Sequence, residues 1–119
     1  MFECKFPHHS NAADFVYTVH VENKTEGTAY DLSDAVIYLS LDGPRRCSEI
    51  KANSADGTGV VEVDDDPTSG DIALTIPADK LKNLPADTYR LGLVMVEGED
   101  KTQILLSELP IVEGLPKWL

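Results

Sequence analysis

The dominant pattern along this chain is an alternation of apolar and polar residues with a period of two, which places successive side chains on opposite faces of a β-strand. The alternation is clearest in residues 15–21, 35–42 and 87–97. Further short strands are predicted at 47–51, 60–63, 71–76, 102–106 and 110–112. Turn-forming residues such as Asp42-Gly43-Pro44 separate these segments. The pattern therefore predicts an all-β fold, a β-sandwich of seven to eight mostly antiparallel strands.

One segment departs from this alternation. Residues 78–84 follow Pro77, which suits the first position of a helix, and Leu81 and Leu84 are spaced to face the same side. We predict one short helical turn there. On the last long strand, Thr102, Ile104 and Leu106 alternate and are expected to share a face. The absence of a repeat or linker pattern predicts a single domain over residues 1–119, ending in a C-terminal tail at 114–119.

The composition narrows the class of partner. The chain has 119 residues, with 10 Lys and Arg against 21 Asp and Glu, a net charge of −11. This charge opposes broad binding to a phosphate backbone, so no nucleic-acid partner is expected. The sequence has no apolar run near the ~20 residues of a membrane span, and its start, Met1–Phe6, lacks the features of a signal peptide. We expect a cytoplasmic origin and no membrane partner.

The residues that can bind metal do not match known metal-site templates. Cys4 and Cys47 lack the spacing of a zinc knuckle, and without an export signal they are expected to be reduced thiols, although sequence leaves a Cys4–Cys47 bridge open. His8 and His9 are adjacent, so on an extended segment their side chains point apart, and surface histidines are the favoured interpretation over zinc.

An acidic segment, Asp64-Asp65-Asp66 followed by Asp71, raises the question of calcium because hard cations prefer several carboxylate oxygens. The EF-hand template fails here, since Ser69 stands where glycine is needed and no glutamate closes the loop. A solvated turn is the favoured interpretation. The chain also lacks a nucleophile elbow and a glycine-rich phosphate loop, so we predict no metal site, no cofactor and no catalytic residue, and hence no enzyme.

Two features favour contact with other proteins. A sandwich has edge strands to which a partner can add a strand. The C-terminus carries the only tryptophan of the chain, and Leu115, Trp118 and Leu119 are the candidate interface residues. The alternative that Trp118 packs on its own sheet stays open at this stage.

Several segments resemble a small β-sandwich module common in the structural proteins of tailed phages. They are Asn11-Ala12-Ala13-Asp14-Phe15, Tyr30–Val36, Gly70–Ile76 and Leu84-Pro85-Ala86-Asp87-Thr88-Tyr89. The resemblance covers about residues 11–113 and is to the N-terminal domain of phage baseplate upper proteins and to stand-alone prophage proteins. Asp87 stands where the module usually has glycine, and aspartate tolerates such turns better than most residues.

The resemblance implies an immunoglobulin-like sandwich without catalysis, and it offers no catalytic residues to transfer. Its fold-determining positions here are Phe15, Leu84 and Tyr89. Tyr89 is expected to place its ring in the core and to bond its hydroxyl to nearby loop backbone, in the manner of a tyrosine corner.

Two functional hypotheses follow. The main one is a non-enzymatic structural or assembly protein of a tailed phage or prophage, which docks to other phage structural proteins through its edge strands and tail. It would be found in the bacterial cytoplasm during assembly and then in the virion, and homo-oligomerisation is left open. The alternative is a ligand-binding β-sandwich for carbohydrate or calcium. Such a module usually exposes aromatic residues on one sheet face; Tyr17 and Tyr89 share faces with aliphatic residues, and Tyr38 is the exception.

Overall fold

The computed structural model of the chain describes residues 2–23, 26–44 and 48–115. The strands in these residues are β1 (Phe2–Lys5), β2 (His9–Ser10), β3 (Phe15–His20), β4 (Glu22–Asn23), β5 (Thr28–Ala29), β6 (Val36–Asp42), β7 (Ser48–Asn53), β8 (Val61–Val63), β9 (Asp71–Ile76), β10 (Asp87–Glu97) and β11 (Asp100–Val112). A 3₁₀ turn spans Pro67–Ser69, and one helix, α1, spans Ala78–Leu81. The all-β prediction is confirmed, and strands β3 and β6–β11 correspond to the predicted segments.

The strands form two main sheets and a small hairpin. The large sheet has the order β1-β11-β10-β6-β7, with β2 also pairing with β11, and the small sheet has the order β3-β9-β8. Strands β4 and β5 pair with each other. All these pairs are antiparallel except those of β1 and β2 with β11, which are parallel. The prediction of mostly antiparallel strands is therefore confirmed.

Alternate residues from both sheets enclose one hydrophobic core, giving a sandwich-like arrangement. The large sheet contributes its inner face, including Ile37, Leu39, Leu41, Leu91 and Leu93. The small sheet contributes Phe15, Val19, Val61, Ile72, Leu74 and Ile76. Because strand side chains alternate, the opposite face of the large sheet carries a separate set of residues, which forms an outer surface.

The helical turn lies where it is predicted and is shorter than the 78–84 segment. Leu81 and Leu84 are both buried, and the Asp14 carboxylate accepts a hydrogen bond from the first helical N–H, Ala78 N, at 2.7 Å. This bond replaces the cap that Pro77, the residue before α1, does not provide. In the described part of the chain, no helix has the length and apolar character needed to cross a membrane.

The prediction of two separate strands at 102–106 and 110–112 is wrong, because β11 is continuous through Pro110. Glu108 O and Val112 O accept hydrogen bonds from Phe6 N and Asn11 N, so these residues point toward β1 and β2. Pro110 lies midway between Glu108 and Val112, so its backbone nitrogen is on the same side of β11. It faces the gap between β1 and β2. Its missing N–H therefore removes no ladder hydrogen bond.

The expectation that Thr102, Ile104 and Leu106 share one face of the last strand is also wrong, because Thr102 lies opposite Met95 on the core side whereas Leu106 lies opposite Gly92 on the outer side. Leu93 lies opposite Leu105, and Leu91 lies opposite Ser107, so Leu105 and Ser107 face the core. Ile104 and Leu106 are only half-buried. The cause is a β-bulge beside Leu93 and Val94, which shifts the alternation of β11 by one residue.

Strands β1, β2, β4 and β5 are absent from the sequence prediction. Each of these four strands has two to four residues, and β1 and β2 pair with a strand about one hundred residues later in the chain. Strands so far apart in the chain are not joined by a short turn, so the sequence has no hairpin pattern that would indicate the pairing. Short alternation alone does not specify a partner.

Candidate functional site

A concave groove of about 710 Å³ lies on the outer face of the large sheet, across β7, β6, β10 and β11. Its volume falls within the range of small-molecule binding sites. Among the side chains that line it are Tyr38, Lys51, Asn53, Arg90 and Gln103. The groove therefore brings together polar and aromatic residues that are separated by up to about half of the chain.

The floor of the groove is formed by neighbouring positions on three strands. Gly92 on β10 lies opposite Ser40 on β6, which in turn lies opposite Lys51 on β7. A Cβ atom added at Gly92 would be 3.4 Å from Gln103 Nε2 and 3.8 Å from Leu105 O, which are ordinary van der Waals contacts. Leaving it as glycine keeps the floor open at the cost of strand stability.

One end of the groove is bounded by the turn that follows β7. Asn53 N and Thr58 N donate to the two carboxylate oxygens of Asp56, each at 2.9 Å, and Asn53 Oδ1 accepts from Ala55 N at 2.9 Å. These hydrogen bonds, from Thr58 first and then Asn53, hold the pKa of Asp56 below its usual range. The turn is a fixed wall held by local side-chain to backbone bonds.

Gln103 forms another part of the lining and fills the β-bulge. Its Nε2 donates to Leu93 O at 3.0 Å and to Leu105 O at 2.6 Å, which satisfies the backbone carbonyls that the bulge displaces. The amide is thus held by two bonds and cannot rotate freely. Its position beside Val94 is fixed by the sheet.

Tyr38 lies at the same end of the groove as Asn53. It is directly opposite Asn53 on β7 and Val94 on β10. Its side chain is 47% exposed, so its ring is accessible on this face of the sheet. The sequence indicated that Tyr38 lies on the opposite face of its strand from Ile37 and Leu39, and the structure confirms this. An exposed ring on a concave face is available to pack against a flat ligand.

The cations of the groove are Lys51 and Arg90. Both are exposed, and among the described residues neither forms an ion pair. By contrast, Asp56 accepts the turn bonds described above, and Asp42 accepts a hydrogen bond from Ser40 Oγ. Lys51, Arg90 and the Tyr38 ring are therefore groups of the groove that can contact a polar ligand.

The acidic segment forms a turn, as favoured from the sequence. Asp66 accepts from Thr68 N at 3.1 Å and caps the 3₁₀ turn, and Asp64 accepts from Ser69 Oγ at 3.1 Å. Asp71 Oδ1 lies 2.7 Å from His20 Nδ1, and Glu22 Oε1 lies 3.5 Å from His20 Nε2. In the described residues, no group of three or more His, Cys, Asp or Glu side chains is arranged to hold a metal ion.

The histidine pair near the N-terminus is divided between two environments. His9 Nε2 donates to Ala13 O at 2.9 Å, and the His9 ring packs edge-on against Phe15 with centroids 5.3 Å apart. His8 is exposed. Cys47 lies outside the described residues, and so does any pairing of Cys4 with it.

Of the three residues proposed as an interface, only Leu115 is among the described residues. Leu115 is 90% exposed, whereas Trp118 and Leu119 lie outside the described residues. Val16 on β3, an edge strand of the small sheet, is 68% exposed. The described surface thus has exposed apolar side chains at an open edge and beyond the last strand.

The three positions proposed to determine the fold are all buried. Phe15 packs edge-on against Phe6 with ring centroids 5.4 Å apart, and Leu84 lies next to the end of α1. The Tyr89 ring is in the core, and its hydroxyl donates to Pro85 O at 2.7 Å, which is the geometry expected from the sequence. Burial, and then the charges of Glu49 and Asp87, raise the pKa of Tyr89 above its usual 10.0.

Sequence reasoning missed Lys51, Asn53, Arg90 and Gln103 as site residues. The alternation of polar and apolar residues predicts that these side chains lie on an outer face of a sheet. It does not predict that they lie together. Their grouping depends on the register among β7, β6, β10 and β11 and on the curvature of the sheet. No local motif encodes either property.

Comparison of the chain with protein-family models and with curated proteins finds no match. Its function is therefore inferred from the residues and geometry described above.

Proposed function

We propose that this chain is a non-enzymatic structural or assembly protein of a tailed phage or prophage, built as an immunoglobulin-like sandwich, that acts by docking to other proteins. The resemblance of residues 11–113 to a phage structural module supports the setting and the finer fold. The observation that carries docking is the exposure of apolar side chains where a partner can reach them, at Val16 on an edge strand and at Leu115 after β11.

Mass spectrometry of purified particles tests this proposal. We expect the protein among the minor components of the virion. Its absence from particles in which other minor components are detected would overturn the assignment. Flanking genes for capsid, tail or lysis proteins would add support for the setting.

The contribution of the tail is tested separately. Deletion of Trp118 and Leu119 is expected to weaken incorporation into particles and to leave the thermal midpoint of the isolated protein nearly unchanged. The matched change Leu115→Ser removes the exposed apolar side chain without shortening the chain. A large loss of thermal stability in the deletion variant would mean that the tail belongs to the core of its own domain.

A second function, a ligand-binding sandwich, is favoured by one specific observation, the exposed Tyr38 ring in the groove. This is the feature expected of a carbohydrate-binding module. For the calcium version of this alternative, a calcium titration followed by thermal unfolding is the test: a clear rise in midpoint would support the acidic segment as a site. The hydrogen bonds that Asp64 and Asp66 make within their own turn favour the carbohydrate version.

A further inference from the structure

We propose that the groove on the outer face of the large sheet binds a short oligosaccharide that carries a carboxylate, such as a uronate or a sialate. The inference develops the ligand-binding alternative and does not depend on the virion assignment. It rests on three features of the groove: its charge relative to the rest of the chain, the position of Tyr38, and the distance between Tyr38 and Arg90.

The charge of the groove differs from that of the whole chain. The charged side chains that line it are Asp42, Asp56, Lys51 and Arg90, two of each sign, whereas the chain as a whole has a net charge of −11. Both carboxylates accept hydrogen bonds from this chain, Asp42 from Ser40 and Asp56 from the turn after β7. Lys51 and Arg90 form no ion pair with the described residues. An anionic group entering the groove thus finds two cations that no described side chain pairs with.

Arg90 is well suited to a carboxylate. Its guanidinium presents paired N–H donors that match the two oxygens of a carboxylate, and such charge-assisted bonds are about twice as strong as neutral ones. Arg90 stands on β10 directly opposite Asp42, at one end of the groove. Lys51, two strands away and level with Gly92, adds a second positive charge on the same face.

Tyr38 supplies the part of the site that is specific for a sugar. A pyranose ring has one face of C–H groups, and an exposed aromatic ring packs against such a face. Asn53 is level with Tyr38, and Ser40 and Gln103 line the groove nearby. A peptide side chain with a carboxylate would use Arg90 without requiring Tyr38. The pairing of the two residues therefore favours an acidic saccharide over an acidic peptide.

The distance between the two anchors sets the ligand size. Arg90 lies opposite Asp42, and Tyr38 is four residues from Asp42 along β6. At the usual rise and spacing of strands, the Cα atoms of Arg90 and Tyr38 are about 14 Å apart. A single sugar ring cannot contact both, whereas a short oligosaccharide can. The glycine at position 92 keeps the floor between them clear.

The test uses a panel of immobilised oligosaccharides in which each uronate- or sialate-bearing glycan is paired with its carboxyl-reduced, neutral counterpart, followed by calorimetry with the best ligand. We expect binding to at least one acidic glycan and a loss of about tenfold or more on carboxyl reduction. The substitutions Arg90→Gln and Tyr38→Ala should each weaken binding by about tenfold. Lys101→Gln, which removes an exposed cation outside the groove, should leave binding unchanged.

A third variant guards against loss of folding. Gly92→Ala adds a methyl group to the floor of the groove at ordinary contact distances, so it should weaken binding and leave the thermal midpoint unchanged or raised. Equal binding to acidic and neutral glycans would overturn the acidic assignment and leave the groove as a neutral saccharide site. Binding of a polyglutamate peptide but of no glycan, or no binding at all, would overturn the inference. None of these results bears on whether the protein is present in particles.

Discussion

Asn11 is the polar residue on which the packing of three separated segments depends. It is fully buried, its Nδ2 donates to Leu84 O at 2.9 Å, and its Oδ1 accepts from Gly114 N at 2.9 Å. Its own N–H donates to Val112 O at 3.0 Å. One side chain therefore joins the N-terminal segment, the loop after α1 and the end of β11. The fit is tight, because a Cβ atom at Gly114 would lie 1.9 Å from Ser10 Oγ.

Replacing Asn11 with alanine should lower the free energy of unfolding by about 2–4 kcal/mol, since it leaves Leu84 O and Gly114 N without partners inside the protein. Urea denaturation measures the change. Asn83→Ala is the matched control, because Asn83 is exposed, and it should stay within about 0.5 kcal/mol of the wild type. Equal effects of the two substitutions would show that the Asn11 bonds do not stabilise the fold.

Tyr89 provides a second prediction at the scale of one residue, and it tests the fold-determining role assigned from the sequence. Tyr89→Phe removes the bond to Pro85 O and should cost about 1 kcal/mol at neutral pH. The control Tyr38→Phe removes an exposed hydroxyl and should have little effect.

The pH dependence of the stability provides a second, independent test of the role of Tyr89. Because the pKa of Tyr89 is raised in the folded protein, its contribution to stability is complete below pH 10.0 and is lost as the pH rises above that value. Alkaline denaturation should therefore be steeper for the wild type than for Tyr89→Phe. Parallel alkaline curves would contradict the role of burial in this shift.

At the scale of elements, Gly70 fixes the junction between the 3₁₀ turn and β9. Its φ is +73°, and an added Cβ atom would lie 2.4 Å from Val21 O. Gly57 has nearly the same φ, +75°, with nothing within 4 Å of an added Cβ atom. The two glycines are therefore matched in backbone conformation and differ in the space around them.

Gly57→Ala should cost about 1–2 kcal/mol, the penalty of a left-handed conformation alone. Gly70→Ala should cost roughly 3 kcal/mol or more, because the backbone at Val21 must also move. Thermal unfolding of both variants measures the difference. A smaller loss for Gly70→Ala than for Gly57→Ala would contradict the close approach.

The elements also define how far the sequence determines this structure in advance. Alternation located β3, β6 and β10 because each is long and has one buried face. It failed at β11, where a single bulge beside Val94 exchanges the two faces and where Pro110 sits opposite a gap in the neighbouring edge. Neither the bulge nor the gap has a local sequence signature, since both arise from pairing between distant strands.

The groove was less accessible to sequence analysis than the core. Tyr38 could be identified, because its neighbours Ile37 and Leu39 belong to the opposite, apolar face. Arg90 and Lys51 are ordinary polar positions until the register places them on the same concave surface. Core positions follow from local periodicity, whereas a surface site depends on strand order and sheet curvature.

At the scale of the whole molecule, the charge of −11 should oppose folding through mutual repulsion of the acidic side chains. Raising NaCl from about 0.01 M to about 0.15 M shortens the screening length from about 30 Å to about 8 Å. The thermal midpoint at pH 7 should therefore rise over this range. Near pH 4.4, where the net charge is close to zero, the same addition of salt should have little effect. A midpoint that falls with salt at pH 7 would mean that attractive pairs, such as that of Lys82 with Asp79, outweigh the repulsion.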